Sequence, residues 1–324
     1  MSAETQESKL GREALQLPVL PAHPAEDRFG RDRAALRLPA FLRRPIGRGE
    51  QVAALRRRLG ARKLHTVCEE ARCPNLDECF RNRTATFMLM GADCTRACGF
   101  CAVGTGTPRP LDPAEPESVA EAAAEMELEH VVLTSVNRDD LPDGGAAHLR
   151  AALEAIHRRC PDASLEILTP DFCGDLDAVR LVAEGPLDVY NHNLETVERL
   201  QRRVRPRASY ERSLEVLAAA KATRSELVTK SGIMVGLGER PEEVRTLMED
   251  LRAVGVTIMT IGQYLRPGLR QLPVVEYLKP EAYEIYRAWG LELGFDHVFA
   301  GPFVRSSYHA GEALREAQRP KTGR

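Results

Sequence analysis

The sequence predicts an α/β fold: an open, partial (β/α)6 barrel of the TIM-like kind, with an N-terminal and a C-terminal extension. Three observations predict it. Apolar, β-rich runs recur at residues 84–90, 131–136, 165–168, 189–193, 227–235 and 257–264. They are apolar almost throughout, as strands of a parallel sheet are when both faces are covered. Between them lie the stripes Val119/Ala122/Met126, Leu149/Leu153/Ile156 and Val244/Leu247/Leu251/Val254, spaced three and four apart like the inner face of a helix. Six repeats fall short of the eight in a closed barrel. Right-handed crossovers then gather the loops after the strand C-termini at one end, where chemistry belongs.

Taken in order, residues 1–50 are rich in Pro and Arg and read as an arm, flexible over the first two dozen residues and extended over the core thereafter. Residues 51–83 carry one predicted helix (Val52, Leu55, Leu59) and then three cysteines. The barrel occupies 84–265. A further cysteine group begins just past its first strand, at the reactive end. From 266 to 324 the repeat fades into Pro-Gly-rich text, a helix near Lys279–Leu293, a last strand around His297–Ala300 and a solvated tail from 316.

With 324 residues and 43% apolar content, the chain can bury one large core. Lys and Arg (45) nearly balance Asp and Glu (47), which gives no whole-molecule case for binding nucleic acid. No apolar run is long enough for a signal peptide or a membrane span, so a cytoplasmic location and no membrane partner are expected. In a reducing compartment, clustered thiols serve as metal ligands or redox groups rather than disulfides.

Six of the eight cysteines fall into two triads, Cys68-x4-Cys73-x5-Cys79 and Cys94-x3-Cys98-x2-Cys101. Three thiolates are one short of a closed four-coordinate site, and an open position is what a reactive centre needs. In the second triad the short gaps put three sulfurs on one loop, fit for three corners of a cubane cluster. Zinc favours two paired Cys-x2-Cys units, and only Cys98/Cys101 is such a pair. A redox dithiol would leave Cys94 unexplained.

The Cys94/Cys98/Cys101 spacing, with Phe100 before the third cysteine, resembles the radical S-adenosylmethionine superfamily. Gly232-Ile-Met-Val-Gly236-Leu-Gly-Glu239 is similar to that superfamily's adenine-side motif, with Met234 at its isoleucine position. Residues from His65 through Cys79 and on to Thr84-Ala-Thr-Phe-Met are similar to the lipoyl synthase family. So are Thr134–Gly145, Leu168–Phe172, Asn191–Val197, Thr229–Glu239, Thr260–Leu265 and Gly301–Tyr308. The resemblance covers roughly residues 40–312.

It implies two 4Fe–4S clusters and S-adenosylmethionine, two molecules per product. Cys94, Cys98 and Cys101 would hold the cluster that binds S-adenosylmethionine. Cys68, Cys73 and Cys79 would hold an auxiliary cluster, with Ser307 of Arg305-Ser306-Ser307-Tyr308 as its fourth ligand. An alkoxide is a harder and more weakly held ligand than a thiolate, so Ser307 would let that cluster open and yield sulfur. Phe100, Thr134, Ser135, Asn193 and Glu195 would contact the cofactor. The implied enzyme is a sulfurtransferase: a 5′-deoxyadenosyl radical takes hydrogen from C6, then C8, of an octanoyl-lysine, and each carbon takes a sulfide. The implied partners are octanoylated lipoyl carrier domains (2-oxoacid dehydrogenase E2 subunits and the glycine cleavage H protein), an electron donor such as ferredoxin or flavodoxin, and a carrier that rebuilds the cluster.

Other residues carry blander alternatives. Asn193 and Glu195 could instead cap the next helix. Arg138, Asp139 and Asp140 read equally as site groups or as a self-satisfied loop. Asn137 and Gln271 stand where the family usually has Asp and His, and Asn137 is left out of the expected site. Lys230 reads as a buried pair or a ligand. Cys160 and Cys173 read as non-ligands. The basic runs Arg56–Arg58 and Arg202–Arg207 read as solvated faces, the second also as a docking surface for an acidic carrier domain.

Overall fold

The computed structural model describes residues 17–21, 38–43, 65–66, 75, 83–307, 310–311 and 314. In chain order the strands are β1 (Val19–Pro21), β2 (His65–Thr66), β3 (Thr84–Leu89), β4 (Asp93–Cys94), β5 (Gly104–Thr105), β6 (His130–Ser135), β7 (Ser164–Leu168), β8 (Val189–Asn191), β9 (Val228–Val235), β10 (Ile258–Gln263), β11 (Glu276–Leu278) and β12 (His297–Gly301). The α-helices are α1 (Glu115–Glu125), α2 (Ala146–Arg159), α3 (Leu176–Ala183), α4 (Gln201–Val204), α5 (Tyr210–Thr223), α6 (Pro241–Ala253) and α7 (Pro280–Glu292).

The six expected strands are β3, β6, β7, β8, β9 and β10, paired in parallel in that order. The main sheet runs β12-β10-β9-β8-β7-β6-β3-β2, and its two edges do not meet, so the barrel is open. One count changes. The last expected strand does not stand apart in the C-terminal extension; β12 pairs in parallel with β10 and becomes a seventh parallel strand. Its alternate residues Val298 and Ala300 are buried and join the core beside Tyr286. At the other edge β2 pairs antiparallel with β3. Within the N-terminal arm, β1 pairs antiparallel with β11. The helix expected around Val52–Leu59 and the cysteines Cys68, Cys73 and Cys79 lie outside the described residues.

Helix starts follow local chemistry. Pro116 and acidic residues occupy the first turn of α1, where a missing N–H costs nothing and negative charge meets the positive helix end. Asp175 and Ser209 cap α3 and α5 by accepting backbone N–H groups. The apolar stripes of α1, α2 and α6 cover the sheet, with Val119, Leu149, Leu153, Leu247 and Leu251 fully buried.

The barrel interior is not wholly apolar. Lys230 on β9 and Glu166 on β7 are both buried, with Nζ 2.9 Å from Oε1. His130 on β6 lies 3.7 Å from the same carboxylate, and Asn191 on β8 donates to it at 3.1 Å. This resolves Lys230 as half of a buried ion pair.

Candidate functional site

The C-terminal ends of β3, β6, β7 and β8 open into one cavity. Its lining includes Cys94, Cys98, Cys101, Phe100, Thr134, Ser135, Asn193 and Glu195. Every cofactor-side residue expected from the sequence is therefore gathered with the second cysteine triad. Of the auxiliary set, only Ser307 falls among the described residues. It is half-buried and makes no hydrogen bond to a described residue.

The cysteine loop is pinned by its backbone. The short parallel pair β4–β5 closes it, with Gly106 N–H donating to the Cys94 carbonyl. Thr95 N–H donates to the Asn137 carbonyl, Gly99 N–H to Val204, and Leu272 N–H to Gly99. Gln271 Nε2 donates to the Cys101 carbonyl at 3.0 Å. Gln271 therefore works as a neutral clamp on the loop, a task that needs no titrating group. Arg96, inside the triad, is buried and held by Asp139 and Asp171 at 2.8 and 2.7 Å. Burial would raise the Asp171 carboxyl, but the Arg96 guanidinium holds it well below its usual range, at about 2.

Burial pushes the Cys98 thiol up to about 12 despite the opposing charge of Arg205, and burial raises Cys101 as well. As bare thiols both stay protonated at neutral pH. Bound iron would take them as thiolates and release the protons. Among the described residues no three Cys, His, Asp or Glu side chains surround one point as a single metal ion requires. A cubane spreads its cysteines over separate irons, and three sulfurs lining one cavity match that donor set. The cavity wall also carries open polar atoms. Ser135 Oγ and His192 Nε2 are buried without a partner among the described residues, and both residues line the cavity. Burial raises the Glu195 carboxyl, which Arg205 and an Asn193 hydrogen bond of 3.0 Å counter.

Several site residues escaped the sequence reading. Arg205 belongs to the run read as a solvated face, yet it is turned inward and donates to the carbonyls of Asn193 and Leu194 at 3.0 and 3.2 Å. Asn137 lines the cavity, and its backbone N–H points at Cys94 Sγ, 3.3 Å away. His192 is kept neutral: burial, with Arg205 nearby, lowers it to about 4. The helix-cap alternative for Asn193 and Glu195 does not hold, since the next helical turn caps on Val197 without a side-chain bond. Arg138 pairs with Asp140 at 2.8 Å through Nη2, and its buried Nη1 has no partner among the described residues. Cys160 packs against the core, and exposed Cys173 accepts from Arg96 at 3.3 Å. Glu239 closes the turn after β9 by accepting the N–H groups of Gly236 and Leu237.

The C-terminal motif meets a wall residue of this cavity. Ser306 Oγ donates to Asn193 Oδ1 at 3.1 Å and accepts from Asn191 Nδ2 at 2.6 Å. Asn75, between Cys73 and Cys79, is buried and donates to the Phe303 carbonyl at 2.7 Å.

Comparison with known proteins agrees with this arrangement. The radical SAM superfamily model matches residues 88–251, and the model for the N-terminal domain of lipoyl synthase matches residues 23–73. The lipoyl synthase of Rubrobacter xylanophilus is 52% identical over 295 residues, covering 91% of this chain and 92% of that protein. That of Thermus thermophilus is 54% identical, covering 86% and 87%. Among solved structures, Streptococcus suis SuiB bound to S-adenosylmethionine superposes with a TM-score of 0.52 at 12% identity, covering 70% of this chain and 53% of that one. Methylornithine synthase superposes with a TM-score of 0.51 at 13% identity, covering 84% and 88%; these two speak for the fold alone. An open barrel with a cysteine triad on its first loop defines a radical S-adenosylmethionine enzyme, which uses that cofactor and a 4Fe–4S cluster. Within that class, the chain belongs to the lipoyl synthase family, whose members are sulfurtransferases.

Proposed function

We propose that this chain inserts two sulfur atoms, at C6 and C8, into an octanoyl-lysine on a lipoyl carrier domain. Its sulfur-donating substrate is an auxiliary 4Fe–4S cluster held by Cys68, Cys73, Cys79 and Ser307. The observation that carries this reading is the seat of the Arg305-Ser306-Ser307 stretch on Asn193, a wall residue of the cavity that holds the other cysteine triad. The Asn75–Phe303 bond supports it from the other side, because it ties the segment between Cys73 and Cys79 to residues just before Ser307.

The residues divide the work. Cys94, Cys98 and Cys101 would hold the second cluster, which, when loaded, supplies the electron that splits S-adenosylmethionine into methionine and a 5′-deoxyadenosyl radical. Glu195, Asn193, Ser135 and His192 receive the polar groups of S-adenosylmethionine. Phe100, Met88, Val136 and Leu168 present apolar surface that excludes water from the reactive space. Arg205 fixes the backbone of Asn193 from beneath. Ser307, the exchangeable ligand, lets the donor cluster open. On this reading residues 51–83 form the auxiliary-cluster segment, 84–265 the barrel and 266–324 the extension bearing Ser307. A low-potential donor such as ferredoxin or flavodoxin supplies electrons, and a separate carrier rebuilds the spent cluster. Among the described residues no helix is long and apolar enough to cross a membrane.

The test is mass spectrometry of an octanoylated carrier peptide after anaerobic turnover with reductant and S-adenosylmethionine. Two added sulfurs are expected, and none would reject the reading. Replacing Cys68, Cys73 and Cys79 with Ala should spare 5′-deoxyadenosine formation and abolish sulfur insertion. Iron analysis should then fall from about eight to about four per chain, the loss of one of two cubanes.

A further inference from the structure

Two segments clasp the Cys94–Cys101 loop, the run from Gln201 to Arg207 and the stretch that leads into Leu272, and each carries exposed arginine. Gly99 is wedged between them: a Cβ there would lie 2.8 Å from Leu272 Cδ1 and 3.2 Å from the Arg203 carbonyl. Next to these contacts stand Arg202 and Arg203 on α4, and Arg270 on the segment before Leu272, all exposed. The first run continues to Arg207, whose guanidinium lies 3.3 Å from the Thr95 carbonyl and 3.7 Å from Asp139. Among the described residues many exposed arginines, such as Arg158, Arg180 and Arg199, are paired with carboxylates. Arg202, Arg203 and Arg270 have no ion-pair partner among the described residues. Next to Arg270 in the chain stands Leu269, 64% exposed, its backbone carbonyl held by Arg266 Nη2 at 2.6 Å.

We infer that this surface docks an acidic, low-potential one-electron carrier protein, and the inference rests on the radical-enzyme reading of the loop beneath it. Position selects this occupant. The patch covers the back of the cysteine loop, whereas the Ser306 side of the cavity receives the substrate. Electron tunnelling falls steeply with distance, and the segments that carry these arginines touch the cysteine loop directly, at Gly99 beside Cys98 and at the Cys101 carbonyl. In the step served here, the carrier is oxidised by one electron and the cysteine-held cluster is reduced by one; no bond or proton changes hands. Rim charges without an ion-pair partner among the described residues, beside one apolar contact, suit a small, transient redox encounter that is steered electrostatically.

The experiment uses the anaerobically purified holoenzyme with Arg202→Glu/Arg203→Glu and Arg270→Glu, and an acidic two-iron ferredoxin as the probe. Charge reversal should weaken ferredoxin binding at low salt by about tenfold and flatten its salt dependence. Cluster reduction by ferredoxin, followed by absorbance, should slow by the same factor. Dithionite-driven sulfur insertion into an octanoylated carrier domain should be unchanged, and Arg202→Lys/Arg203→Lys should bind ferredoxin as the wild type does. Unchanged ferredoxin affinity would overturn the inference. So would a loss of dithionite-driven turnover on the carrier domain, which would assign the patch to the substrate protein. Failure of the wild type to insert sulfur even with dithionite would instead strike the proposed function.

Discussion

The Glu166 carboxylate shows how one residue type behaves in two environments. Burial alone would raise it, but the Lys230 ammonium and His130 hold it down, at about 2. Its unfolded value is higher, so the pair's contribution is complete above about pH 4.5 and fades as the pH falls toward 2. Lys230→Met would leave an uncompensated buried carboxylate and should cost about 3–5 kcal/mol at neutral pH. Urea midpoints of variant and wild type should converge as the pH drops through that window; a constant gap would mean that the pair is not what holds the two strands. Neither partner announces itself in the sequence, because their positions are 64 residues apart. The cysteines are different: their meaning lies in gaps of two and three residues, which a loop converts directly into proximity.

At the scale of elements, the segment from Arg266 to Val275 acts as a strap over the cysteine loop. Tyr264 Oη donates to the Leu272 carbonyl at 2.8 Å, and Leu272 in turn meets Gly99. Gly99→Ala should displace this strap or the loop, at a cost of about 1–3 kcal/mol, because the methyl would press on the Leu272 side chain and the Arg203 carbonyl. Iron content per chain after anaerobic reconstitution is the measurement, and it should fall. The strap's text is Pro-Gly-rich and without period, so its packing partner was not legible. The strands and the three named helices were, because their apolar spacing reports burial directly. Arg205 and His192 were not. A basic run and a lone histidine look solvent-facing until the chain turn that buries them is known.

At the scale of the whole molecule, the C-terminal extension braces a structure begun more than 200 residues earlier. Ser306 holds Asn193, a wall residue of the cavity, together with Asn191, and β12 extends the sheet edge. Ser306→Ala should cost about 1–2 kcal/mol from the two asparagine contacts. It should reduce sulfur insertion while leaving 5′-deoxyadenosine formation intact, as measured by product analysis on one sample. Equal loss of both would place Ser306 in S-adenosylmethionine binding instead. By itself the amino-acid text determined the open parallel barrel, the cysteine-loop chemistry and the family, since all three are written in local spacing and residue type. Tertiary structure alone decided that β12 joins the sheet, that Arg205, Asn137 and His192 belong to the cavity, and that arginines without an ion-pair partner among the described residues back the cysteine loop. Contacts between distant segments depend on how strands and crossovers stack in space, and no local pattern encodes that.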